Sequence, residues 1–168
     1  MNGHKSDKMT FKDGKQDGLH IKWYGNGQKY NEENYFQRNF TKTLMIISAI
    51  FLAVNGFGLS FFPNEISLLL TNDDNHIFIL ILQILGALYL GFSYVNWMSK
   101  NSLIGGIYNK PLLIGNTLHF LTASIAMIKL VFKFDNNLQL IIIHTIIYCL
   151  FTLCFGYVFF SDPFKKLQ

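Results

Sequence analysis

The sequence predicts an all-α membrane protein, a bundle of four transmembrane helices preceded by a short N-terminal β-hairpin segment. Three observations carry that expectation. Residues 43–62, 77–98, 112–132 and 138–160 are apolar stretches with no Asp, Glu or Arg, and Lys129 is the one formal charge within them. Each is long enough, since a helix needs roughly 20 residues to cross a ~30 Å hydrocarbon core. The 14 lysines and arginines of a chain that is 51% hydrophobic are crowded into its first quarter and its loops, a segregation that a soluble core does not require. Proline sits only at span edges, at Pro63, Pro111 and Pro163, where its missing N–H costs little.

Residues 1–42 are polar and read as a cytoplasmic segment. Asp13-Gly14 and Asn26-Gly27 are tight-turn dipeptides, because the favoured hairpin turns need positive φ at their centre. Between them Leu19, Ile21 and Trp23 alternate with His20, Lys22 and Tyr24, the period of one half-buried strand. Tyr30, Tyr35, Phe36 and Phe40 then mix with Arg38 and Lys42, a composition suited to the inner headgroup layer. No small-residue cleavage pattern follows the first apolar run, so that run is expected to be an internal anchor rather than a signal peptide.

The four spans make one domain, residues 43–160, because their connections are too short to fold alone. Between spans one and two, Ile66, Leu68, Leu69 and Leu70 form a run too short to cross and are expected at the outer interface. Gly105-Gly106 is expected to let the loop between spans two and three turn at the membrane face. Residues 161–168 form a cytoplasmic tail. Assigned to alternating sides, Lys and Arg number twelve on one side and two on the other. The positive-inside rule places both termini in the cytoplasm. Lysine- and asparagine-rich usage with Arg38 as the sole arginine suits an AT-rich bacterial genome, hence a bacterial inner membrane. It also explains the basic pI without a nucleic-acid partner. Lys129 lies where its stem can snorkel to the outer headgroups.

Helices in lipid associate through small residues and hydrogen-bonding side chains. The expected inward faces are Ala49, Ala53, Gly56 and Ser60; Ala87 and Gly91; Gly115, His119, Thr122 and Ala126; and Thr145, Cys149, Thr152 and Gly156. A rise of ~1.5 Å per residue sorts the polar groups into an outer layer of Asn55, Gln83 and His144 and an inner layer of Ser48, His119 and Thr152. Intramembrane histidines are functional candidates by default. One haem or metal bridging His119 and His144 is disfavoured, because the two rings lie at depths roughly 10 Å apart. A hydrogen bond across helices, as from His144 to Gln83, fits better. Cys149 and Cys154 point different ways on one helix and read as packing residues without a disulfide. No HExxH, CxxC, acidic pair or phosphate loop is present in the sequence, so no catalytic, metal or cofactor site is assigned.

Two resemblances follow. Lys12-Asp13-Gly14-Lys15, Asp17-Gly18 and Trp23-Tyr24-Gly25-Asn26-Gly27-Gln28-Lys29 resemble the MORN-variant repeat over about residues 9–36, which implies β-hairpins acting in protein or membrane-surface contact. Gln83 through Ala87, Asn96-Trp97-Met98, Leu103 through Pro111, Gly115-Asn116 and His119-Phe120 resemble a group of small uncharacterised bacterial four-helix membrane proteins, DoxX-like in outline. That resemblance covers about residues 43–160 and implies a functional surface at the cytoplasmic end of spans two and three, formed by Asn96, Trp97, Gly105, Gly106, Asn116 and His119. The favoured reading is a non-enzymatic bundle that docks a protein partner through the N-terminal segment or binds a small hydrophobic molecule, with self-association compatible with it. The alternative is a redox or transport component using His119 or His144.

Overall fold

A computed structural model of the chain describes residues 7–12, 15–71, 75–102, 109–132 and 138–161. Five helices follow a small sheet, and four of the five are long and apolar enough to cross a membrane. Length and apolar composition together mark a multi-pass membrane protein.

The strand expected around Ile21 is the centre of a three-stranded antiparallel meander. It consists of β1 (Asp7–Lys12), β2 (Lys15–Trp23) and β3 (Lys29–Asn34), in the order β1-β2-β3. The β2–β3 connection is the Asn-Gly turn. Gly27 N–H donates to the Tyr24 carbonyl at 2.9 Å, and Gly27 adopts φ +83°, a left-handed conformation open to glycine at no steric cost. Asn26 Oδ1 accepts from Gln28 N–H at 3.0 Å, an Asx contact that stiffens the corner. Asp13-Gly14 lies outside the described residues. Across β1 and β2, His20 Nε2 meets Asp7 Oδ1 at 2.7 Å. Ile21 is buried against the rest of the chain while Met9 and Phe11 are exposed.

Helix α1 (Tyr35–Phe61) follows β3 with no intervening residue. It starts eight residues before the expected span, because hydropathy locates the lipid-facing part of a helix and not its polar extension. Pro63 opens α2 (Pro63–Thr71), the short segment expected at the outer interface, and Ser67 anchors it as a buried residue. Asn75 caps α3 (His76–Ser99), its Oδ1 accepting from Ile77 and Phe78 N–H at 2.9 and 3.4 Å. Such a cap satisfies donors that the first helical turn leaves free. Helices α4 (Lys110–Val131) and α5 (Leu138–Phe160) complete the bundle, with Pro111 in the first turn of α4.

Neighbouring helices run antiparallel in the ring α1, α3, α4, α5, as pairs of contacts show: Ser48 to Asn96 with Gly56 to Gly86, Asn96 to Asn116 with Tyr89 to His119, Ser124 to Thr152 with Phe120 to Phe155, and Asn55 to His144 with Phe51 to Tyr148. The ring is built from two closely packed pairs, α1 with α3 and α4 with α5. At the first seam, a Cβ placed on Gly56 would lie 2.9 Å from the Gly86 carbonyl oxygen. One placed on Gly86 would lie 2.8 Å from the Gly56 carbonyl oxygen and 2.7 Å from the Ser60 nitrogen, and would also strike Ser60 Oγ. These backbones touch because neither carries a side chain there, the device by which membrane helices gain dispersion contact. The second pair is filled instead by rings, Phe120 stacking on Phe151 at 4.6 Å and on Phe155 at 5.4 Å.

The inward face of α1 is as expected. That of α3 is not: Ala87 and Gly91 are exposed, and Leu82, Gly86, Ser93 and Asn96 are buried. The face is set by the close approach of Gly86 to Gly56, and Ala87 stands about 100° round the helix from it. Gln83 is exposed as well, so it takes no part in the expected buried layer. On α4 the buried face is Leu113, Asn116, Phe120 and Ser124, one position on from Gly115 and His119, while Thr122 and Ala126 are exposed. On α5, Thr145 is buried, with Cys149, Thr152 and Gly156 at the rim of a face dominated by Tyr148, Phe151, Phe155 and Val158. The outside of the long helices is mainly apolar, with Ile47, Val54, Ile84, Leu88, Leu118, Ile146 and Leu153 among its exposed residues. That arrangement suits hydrocarbon and not water.

Gly86→Ala is expected to lower the stability of the purified protein in detergent by about 1–3 kcal/mol, the range for forcing an extra methyl into a filled contact. Gly91→Ala, where a Cβ meets nothing within 4 Å, is expected to be neutral or slightly stabilising. Equal losses for the two variants would refute the Gly56–Gly86 crossing.

Candidate functional site at the α3–α4 seam

The described residues of the expected surface divide into three kinds. Asn96 on α3 and Asn116 on α4, each 0% exposed, face one another as a reciprocal amide pair. Asn96 Nδ2 donates to Asn116 Oδ1 at 2.7 Å and Asn116 Nδ2 donates to Asn96 Oδ1 at 2.9 Å. The second N–H of Asn96 reaches Ser48 Oγ at 3.1 Å, and that of Asn116 reaches the Leu112 carbonyl at 3.0 Å. Ser48 in turn donates to the Met45 carbonyl at 3.0 Å. Every amide proton is used, and the Leu112 carbonyl, which can only accept, fixes which end of the Asn116 amide is nitrogen. One turn back on α3, Ser93 donates to the Ala49 carbonyl of α1 at 2.7 Å. This network ties α1, α3 and α4 together.

Trp97 is of the second kind. It stands outside the network, 45% exposed, with the Lys100 ammonium 3.3 Å from its ring centroid, a cation–π arrangement. Gly105 and Gly106 lie outside the described residues.

His119 is the third kind. Its ring stacks on Phe92 at 5.4 Å and meets Tyr89 edge-on at 5.5 Å, Phe120 at 5.0 Å and Tyr148 at 6.1 Å. The two tyrosines are linked, Tyr148 Oη donating to Tyr89 Oη at 2.7 Å. His119 Nε2 is buried with no hydrogen-bond partner; among the described residues Ser60 Oγ is the other such side-chain atom. Leaving a polar atom so costs about 1–3 kcal/mol of desolvation. The arrangement offers one nitrogen, able to donate or accept, between aromatic walls.

At the opposite end of the bundle from the N-terminal sheet, His144 pairs with Asn55 and not with Gln83, the Nε2 to Oδ1 distance being 3.2 Å. Asn55 Nδ2 donates to the Phe51 carbonyl at 2.8 Å, so the amide oxygen faces the ring. Nδ1 lies 3.1 Å from the Leu140 carbonyl. With both ring nitrogens against oxygen atoms, His144 presents no free ligand atom, whereas His119 does. Of the expected inner layer, Ser48 joins the asparagine pair and Thr152 bonds to Ser124 at 2.8 Å. Among the described residues no three His, Cys, Asp or Glu side chains converge as a metal site.

The pairings Tyr89–Tyr148, Ser124–Thr152 and Asn96–Asn116 do not follow from the sequence reading. Similar depth in neighbouring spans is the available signal, and it lacks the helix rotations. The chain matches no known family model, no characterised protein and no solved structure.

Asn96→Leu and Asn116→Leu are each expected to destabilise the bundle by about 1–3 kcal/mol, because each strands the partner amide. The double Leu variant is expected to lose less than the sum of the two, the positive coupling of a direct pair. Unfolding titrations in mixed micelles measure all four species, and strict additivity would break the assignment.

Proposed function

We propose that this chain is a non-enzymatic protein of the bacterial inner membrane, both termini cytoplasmic, that binds a small hydrophobic molecule or docks a partner at the cytoplasmic end of α3 and α4. The observation that carries this reading is the buried, unpartnered Nε2 of His119, set among aromatic rings. A planar apolar molecule bearing one carbonyl or hydroxyl has the chemistry to use one nitrogen between rings. The excess of Lys and Arg on one side supports the orientation. The N-terminal sheet would then stand in the cytoplasm as an adaptor, a role in keeping with its resemblance to the MORN-variant repeat. Homo-oligomerisation belongs to the same proposal.

The alternative, a redox or transport component, rests on the same nitrogen, with His119 and not His144 as its centre. Purification from native membranes followed by absorbance and native mass spectrometry separates the two. A colourless protein carrying a small molecule that His119→Phe releases, with the fold retained, supports ligand binding. A Soret band lost on His119→Ala would move the assignment to redox chemistry. Absence of any molecule sensitive to His119 would leave the ligand reading without support.

Orientation has its own test. Tags at either terminus are expected to be cleaved by protease added to inverted inner-membrane vesicles and protected in intact spheroplasts. The reverse pattern would place the termini outside.

A further inference from the structure

Where α1 begins and α3 ends, a cavity of about 200 Å³ is lined by Arg38, Asn39 and Lys42 of α1 and by Lys100, Asn101 and Ser102 following α3. Three cationic residues, two amides and a hydroxyl thus line one space, and among the described residues no carboxylate lines it. Arg38 and Lys42 are one turn apart on the same helix face, a spacing at which like charges repel. Lys100 adds a third positive charge from another element. Trp97 holds that ammonium over its ring at 3.3 Å, so its position is fixed by packing as well as by charge. A guanidinium fork, ammonium point charges and neutral donors are the set that recognises a tetrahedral oxyanion.

We propose that this cavity binds one phosphate group per chain. The cavity lies at the polar end of α1, just before the stretch of 18 or more apolar residues that suits hydrocarbon, the level at which phospholipid phosphates sit. A phospholipid headgroup and free phosphate share this chemistry. The site does not depend on the assignment of a ligand to His119, nor on which leaflet it faces.

The full-length protein in zwitterionic detergent, titrated with dihexanoyl phosphatidylglycerol or with inorganic phosphate, is read by native mass spectrometry. One adduct per chain is expected to saturate. Arg38→Gln and Lys42→Gln are each expected to weaken it about fivefold, the effect of one cation near an anionic surface. Lys110→Gln, which removes an exposed charge outside the cavity, is the matched control and is expected to change nothing. Tighter binding of the lipid than of phosphate assigns a headgroup site, and equal binding assigns a phosphate site. No saturable adduct, or one weakened equally by Lys110→Gln, overturns the proposal.

Discussion

Two side-chain amides, Asn96 and Asn116, hold the junction on which the bundle depends. In hydrocarbon no water competes for an amide, so a polar side chain inside the bundle is either matched or costly. Here the match is complete: four amide N–H groups and one serine hydroxyl are taken up by the two amide oxygens, that hydroxyl and the backbone carbonyls of Leu112 and Met45. The pair joins α3, whose close partner is α1, to α4, whose close partner is α5. Each close pair is held by dispersion, through glycine contact in one and stacked rings in the other. Dispersion alone selects rotation weakly, since lipid offers nearly equivalent contacts. Directional hydrogen bonds supply what it lacks, a single register between the pairs.

The contrast between the two halves of the seam follows from the same constraint. Toward the end away from the sheet, Asn55 and His144 meet one another, and the ring of Phe51 packs against the imidazole. At His119 the surrounding groups are aromatic or already engaged, so the imidazole nitrogen is left over. Among the described residues only Ser60 Oγ shares that condition, and it distinguishes two histidines that composition alone treats alike.

Helix positions were legible in the sequence because crossing a bilayer is a local property of length and polarity. The ends of α3 and α5 fall within a residue or two of the apolar stretches, and the short helix after Pro63 corresponds to a run too brief to cross. Rotation is not local. Gly86 and Ser93 occupy one face of α3, Ala87 and Gly91 another, and only the surface of α1 decides between them. The depth of Gln83 is close to that of Asn55 and His144, yet its azimuth carries it outward. Asn96, Asn116 and His119 were recognisable as unusual side chains in apolar spans; that the first two would pair and the third would not required the packed helices. Strand β3 escaped for a different reason, since Lys29–Asn34 shows no alternation, while in β1 only Met9 and Phe11 alternate with polar neighbours, a run too short to stand out.

Helix α1 has 27 residues, about 40 Å of helix against a hydrocarbon thickness of ~30 Å. Its surplus turns stand clear of the lipid and run directly into β3, for Asn34 ends the strand and Tyr35 begins the helix. No flexible tether isolates the sheet from the bundle. Sheet and helix therefore share one continuous backbone, and the strand's direction is set by the first turn of the same helix that carries the Gly56–Gly86 contact.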